Sequence, residues 1–284
     1  MTGTGATTDA ATAGRVAAPT RTAPRARDLF AAEWIKLWSL RSTPLVLGAC
    51  VLLYVYLPWR GARRECGQWP KYDAGMRDGF DFGHTAFNGP QWFLMMIAAG
   101  AVGAMTVAGE HASGQIRQTF AAVPARRAVL LAKAAVLAVV MTGVGAVVAG
   151  GSSAVAGHTL SGCIGTAAVP DQAWRASAAT MLLVPVCALV GMALATLIRH
   201  SAGTVFAVCA LFVFVPEALK SPQQDWLVAV ANATPWYAWG RLTATGHGHV
   251  VGHIPTVTGS WVALAGWAVC SVAVAAVATH AREV

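Results

Sequence analysis

The chain reads as an all-α integral membrane protein: a six-helix transmembrane bundle with an N-terminal amphipathic helix at the interface. Three features carry that reading. Hydrophobic residues make up 56% of the 284 and charged residues 11%, against roughly 25% charged in a soluble domain. So few charges cannot cover a water-facing surface, and the same figures exclude low-complexity disorder. The apolar residues also gather into runs of about 20, enough to cross roughly 30 Å of hydrocarbon at 1.5 Å per residue. Finally, a net charge of +8 suits an anionic membrane surface, and the hydrophobicity decides against nucleic acid as a partner.

The spans follow in order. Arg41 and Arg60 bracket the first, about 43–59, with Thr43 as N-cap and Pro44 at the first helical position. The second covers about 91–109 and ends at Glu110; the third covers about 129–151. The fourth, about 176–198, lies between Arg175 and Arg199 and carries Pro185, a kink that membrane helices tolerate. The fifth, about 201–217, is the shortest, with 16 uncharged residues before Glu217. The sixth is about 259–279. Gly143, Gly145, Gly150 and Gly151 in the third are read as helix-packing positions.

With the N-terminus inside, the inner segments hold 12 Lys and Arg against 5 Asp and Glu, and the outer segments 8 against 7. The excess of basic residues places both termini in the cytoplasm and the chain in the cell membrane. Arg60, Arg63 and Arg64, in the first outer loop, run against that trend. Residues 1–27 are Ala- and Thr-rich with scattered Arg and no apolar core. They read as a disordered cytoplasmic tail rather than a secretory signal peptide.

Two inner pieces carry more information. In residues 28–41, Phe30, Trp34, Leu37 and Trp38 fall at i, i+4, i+7 and i+8, while Asp28, Glu33, Lys36 and Ser39 lie on the other side. This predicts a helix lying along the inner membrane surface with its tryptophans at headgroup depth. Between the second and third spans, EHASGQIRQTFAAVPARRA (110–128) is far longer than a helical hairpin needs. Arg117, Arg126 and Arg127 make it either a basic anchor or a docking surface.

EWIKLWSLRST before the first span, paired with EHASGQIRQTFAAVPARRAVLLAK after the second, resembles the ABC-2 class of ABC transporter permeases. Glu110, Gly114, Ile116, Pro124, Arg126 and Lys133 match that family's loop pattern, with Gln115 where a Thr is usual. The resemblance extends over nearly all of residues 28–284 as one permease domain. It implies that Phe30, Trp34, Lys36 and Trp38 of the interfacial helix, with Glu110, Gly114, Arg117, Pro124, Arg126 and Arg127, serve the grip on a P-loop ATPase subunit. It implies a second permease half, identical or related, and ATP with Mg bound by the partner rather than by this chain. ATP-driven closure of the ATPase subunits would move substrate outward.

The residues point the same way without the resemblance. No Gly-Lys dipeptide occurs, so the phosphate loop G-x-x-x-x-G-K-[ST] is absent. A proton- or sodium-driven carrier needs ionisable groups inside the bundle. None is expected within the spans, since Lys133 and Glu217 sit at ends where snorkelling is easy. Nothing reads as catalytic. His247, His249 and His253 form an H-x-H-x₃-H cluster in the last outer loop, a weak metal candidate without a neighbouring Cys or carboxylate. Those histidines carry the alternative function, a membrane enzyme or accessory or immunity factor acting at the outer face. Asp73, Asp78 and Asp81 read as a solvated loop, and Trp236, Tyr237 and Trp239 as an outer aromatic belt. Cys66 and Cys163 fall in different outer loops, where a disulfide is permitted but not specified.

Overall fold

The computed structural model describes residues 25–39, 42–87, 89–112, 126–220, 224–245 and 255–280, and every regular element among them is helical. Helix α1 (Ala26–Ser39) precedes six helices long and apolar enough to cross a membrane. These are α2 (Ser42–Gln68), α5 (Gly89–Ala112), α6 (Arg126–Ser161), α7 (Ala173–Ile198), α8 (Ser201–Ala218) and α11 (Val257–His280). Short helices α3 (Ala74–Asp78), α4 (Phe82–Ala86), α9 (Asp225–Ala233) and α10 (Pro235–Thr243) fill the connections after α2 and α8. An even number of crossings returns the chain to its starting side. One end of the bundle, the α1 face, therefore holds α1 and the end of α11, and α3, α4, α9 and α10 gather at the opposite face.

Two of the spanning helices are longer than the sequence suggests. α2 has 27 residues and α6 has 36, or about 40 and 54 Å at 1.5 Å per residue. The expected stops at 59 and 151 mark where the apolar run ends, not where the helix does. Arg60, Arg63 and Arg64 follow the apolar run and are exposed, and charge on an exposed face is no obstacle to helix. Pro58 lies inside α2 and frees the Tyr54 carbonyl one turn back. The Ser152 hydroxyl of α6 donates to that carbonyl at 2.6 Å, so the helix continues with its backbone satisfied. A disulfide joins Cys66 to Cys163, beside the ends of the two extensions, with Cα atoms 5.8 Å apart.

Helix α7 is the axis, packed by α5, α6 and α11, and most of its residues are buried. Helices in lipid lack a hydrophobic drive to associate and rely on close van der Waals approach. Here a Cβ on Gly103 would collide with the backbone of Ala188, and one on Gly191 with the backbone of Gly100. Where Pro185 releases the Met181 carbonyl, Gly145 of α6 lies directly against it. Among the glycines expected to pack, Gly143 and Gly150 face open space instead. Helix α8 becomes π-helical over Ala210–Phe214, just before Pro216, whose missing N–H would break regular pairing to the Phe212 carbonyl.

The opposite face is knitted by aromatic packing. Trp92, 2% exposed, has Tyr54 at 5.1 Å, Trp239 at 5.4 Å and Phe87 at 6.0 Å between ring centres. Trp236 extends the cluster to Phe93, stacked at 3.8 Å. Trp239 is therefore core rather than outer belt. α10 folds back against α7 and α11, and the Trp239 indole donates to the Thr180 hydroxyl at 3.0 Å. Nor is the acidic loop merely solvated. Asp73 caps α3 by accepting from the Met76 amide, and Asp81 caps α4 by accepting from the Gly83 and His84 amides. The same Asp81 oxygen accepts from the amide and hydroxyl of Thr245, and Arg175 donates to the Leu242 and Ala244 carbonyls at the end of α10.

Candidate functional site

The α1 face is built differently, from charge. Helix α1 packs mainly on α6, and the side it turns inward is mixed. Glu33 and Lys36 lie there beside half-buried Phe30 and Leu37, which pack against the core, while Asp28 and Ser39 of the expected polar stripe stay exposed. Glu33 is 5% exposed, whereas Trp34 and Trp38 are 38% and 42% exposed on the outer side. Phe30 stacks on Trp34 and Trp34 tilts against Trp38, their ring centres 6.2 and 6.0 Å apart. The two tryptophans facing outward on an interfacial helix suit headgroup depth. Glu33 and Lys36 meet the bundle because the bundle presents charges of its own.

Those charges come from the ends of α5 and α6. The Lys133 ammonium, on the second turn of α6, donates to Glu33 Oε2 at 2.5 Å and to Glu110 Oε1 at 2.9 Å. Lys36 donates to Glu33 Oε1 at 2.6 Å and to the same Glu110 oxygen at 3.1 Å. Two carboxylates and two ammonium groups thus close a four-membered ring of zero net charge. An isolated charge would be costly at this depth, and the pairing and hydrogen bonds remove most of that cost. Burial alone would pull the Lys36 pKa down; the carboxylates of Glu33 and Glu110 outweigh it and hold the ammonium above the ordinary lysine range.

Lys133 is therefore buried and paired, where snorkelling to the surface was expected. Its side chain meets Glu33 across 100 residues of sequence before it can reach solvent. Glu217 fits the expected end position, exposed and paired with Lys220 at 3.2 Å. Against this ring lies a cavity of about 690 Å³, with Val46 of α2, Ala98, Val102 and Met105 of α5, and Leu137 of α6 among its walls.

The residues expected to grip a partner divide. Glu110 and Lys36 belong to the ring. Arg126 opens α6, and Arg127 beside it is exposed. Gly114, Arg117 and Pro124 lie outside the described residues, as do His247, His249 and His253. The ring member that sequence reasoning missed is Glu33. Its signal was present: Glu33 and Lys36 share the side of α1 opposite the tryptophans.

A family model described as ABC-2 family transporter protein matches residues 29–216, from the first turn of α1 to near the end of α8. No curated protein matches the chain. An interfacial helix, six membrane-crossing helices, and a match over about two thirds of the length converge, and the chain belongs to the ABC-2 family of transporter proteins.

Proposed function

We propose that this membrane-spanning permease subunit of an ABC transporter is an exporter half, driven by a separate P-loop ATPase that docks on the segment between α5 and α6. The carrying observation is the charge ring. Lys36 of α1 and Lys133 of α6 both hold Glu110, where α5 leads into that segment. A push on the segment would therefore reach α1 and two spanning helices through short, charge-assisted bonds rather than through loose loops. Arg117, Arg126 and Arg127 supply positive charge for an acidic partner surface. A second permease half, identical or related, completes the pathway, and ATP with Mg resides in the partner.

In this reading both termini are cytoplasmic and the host membrane is the cell membrane. The disulfide beside the ends of the α2 and α6 extensions supports that orientation, because disulfides persist in oxidising compartments outside the cytoplasm. The test is a gentle-detergent pull-down of the tagged chain from its native membrane, with mass spectrometry and an ATPase assay. A co-purifying P-loop ATPase is expected, lost on Arg117→Glu with Arg126→Glu while the permease keeps its melting temperature. A clean preparation with no nucleotide-binding partner overturns the reading and turns attention to the outer-loop histidines.

A further inference from the structure

The cavity beside the charge ring has the make-up of a ligand site: its volume lies within the roughly 300–1,000 Å³ of small-molecule pockets, and its walls are apolar with a few convergent polar groups. It is a wedge. Helix α2 leans on α5 through Tyr54, whose hydroxyl donates to the Gln91 carbonyl and whose ring meets Trp92. Towards the α1 face the two helices part, and Val46 on one side and Val102 and Met105 on the other line the gap. Met105 is 67% exposed and Val46 45% exposed, so the gap opens on the flank of the bundle. In a membrane that flank is bathed by acyl chains of the leaflet in which α1 lies.

The polar end selects the headgroup. Within the ring, the side chains of Glu33, Lys133 and Glu110 are 5%, 9% and 12% exposed, while that of Lys36 is 37% exposed. An arriving head meets an ammonium first. Lys36 is also the dispensable cation, since Lys133 already bonds both carboxylates. A phosphate can share Lys36 without stranding either glutamate, whereas a cationic head would compete with buried Lys133. We propose that this wedge holds one acyl chain of an anionic phospholipid, from the leaflet in which α1 lies, with the headgroup phosphate on Lys36.

The test uses the full chain in detergent, with native mass spectrometry of added palmitoyl-oleoyl phosphatidylglycerol, phosphatidylcholine of the same chains, and oleate. The expected order is phosphatidylglycerol over phosphatidylcholine by about tenfold, because both offer the phosphate but only choline adds a cation that the ammonium groups of Lys36 and Lys133 repel. Lys36→Gln is expected to erase that preference and Lys36→Arg to keep it. Val102→Trp fills the wedge and is expected to abolish binding of both phospholipids, with an unchanged melting temperature showing that the variant folds. Equal binding of the two phospholipids, or a preference that survives Lys36→Gln, overturns the headgroup assignment. Oleate binding more tightly than phosphatidylglycerol assigns the site to a free carboxylate and overturns the phospholipid. Quantitative cross-linking of Met105→Cys to a second copy in liposomes shows the flank covered by protein and overturns the proposal outright.

Discussion

The two ends of this bundle are held together by different physics. At the face opposite α1, a disulfide, a cluster of buried aromatic rings and the Asp81 helix cap lock α2, α4, α6 and α10 into one arrangement. These contacts are short-ranged and shape-specific, so small displacements lose them outright. At the α1 face the contacts are ionic, with each ammonium bonded to two carboxylates, and they border a cavity. A four-charge ring can exchange partners without leaving any member bare. One end is thus held by shape and the other by charge.

The largest test removes the aromatic anchor. Trp92→Ala should cost about 3–5 kcal/mol, the range for truncating a buried Trp, and should lower the melting temperature of the whole bundle in detergent. A loss confined to α4 and α10, read by hydrogen exchange, would show that the opposite face is not one unit. Glu33→Ala should cost a similar ~3–5 kcal/mol locally, because breaking a buried pair leaves an uncompensated charge. Here the exchange protection of α1 should fall while that of α7 holds. Glu33→Leu combined with Lys133→Met leaves the Lys36–Glu110 pair intact, at 3.1 Å. That double variant should recover most of the stability, and failure to recover would make the ring more than an ion-pair network.

Smaller effects sharpen the contrast. Cys66→Ser should cost about 2–4 kcal/mol, the usual worth of a disulfide closing a long loop; reductant should reproduce the shift in the wild type and add nothing in the variant. Thr180→Val removes the acceptor for the Trp239 indole and should cost about 0.6–1.7 kcal/mol, the range for hydrogen bonds between membrane helices. The smallest effect is in pH. Because the Lys36 pKa is raised on folding, its contribution is fully present below the ordinary lysine value of about 10.4 and is lost only as pH climbs through the higher folded value. Stability of α1 should thus be flat in Lys36 titration from pH 7 to 9 and fall in stronger alkali. A fall between pH 7 and 9 that Lys36→Met removes would mean that the ring fails to hold the ammonium.

Much of this was legible in the chain before any coordinates. Counting uncharged residues between Arg41 and Arg60, or between Arg175 and Arg199, marks where lipid is crossed, because the penalty for bare charge in hydrocarbon is large and local. It does not say where a helix stops, since Arg60, Arg63 and Arg64 are at home on the exposed face of a helix. The amphipathic character of α1 was equally visible, but not that Glu33 and Lys36 face the bundle together with Phe30 and Leu37. That turned on Glu110 and Lys133, distant in sequence and brought alongside by the α5–α6 hairpin. Trp239 was misread for a related reason: an aromatic after Pro235 looks like a belt residue until α10 is folded back onto α7.

Composition and periodicity, then, determined by themselves that this is a six-span membrane protein with an interfacial helix and a basic connecting segment. Those properties follow from each residue's own transfer between water and lipid. Only the tertiary structure decided that Glu33, Lys36, Glu110 and Lys133 close into one ring, that Cys66 finds Cys163, and that α2 and α5 part to leave a wedge. Each of these depends on which distant helices become neighbours, and in lipid that choice is made by backbone approach at positions such as Gly103 and Gly191 rather than by hydrophobicity, which every helix shares.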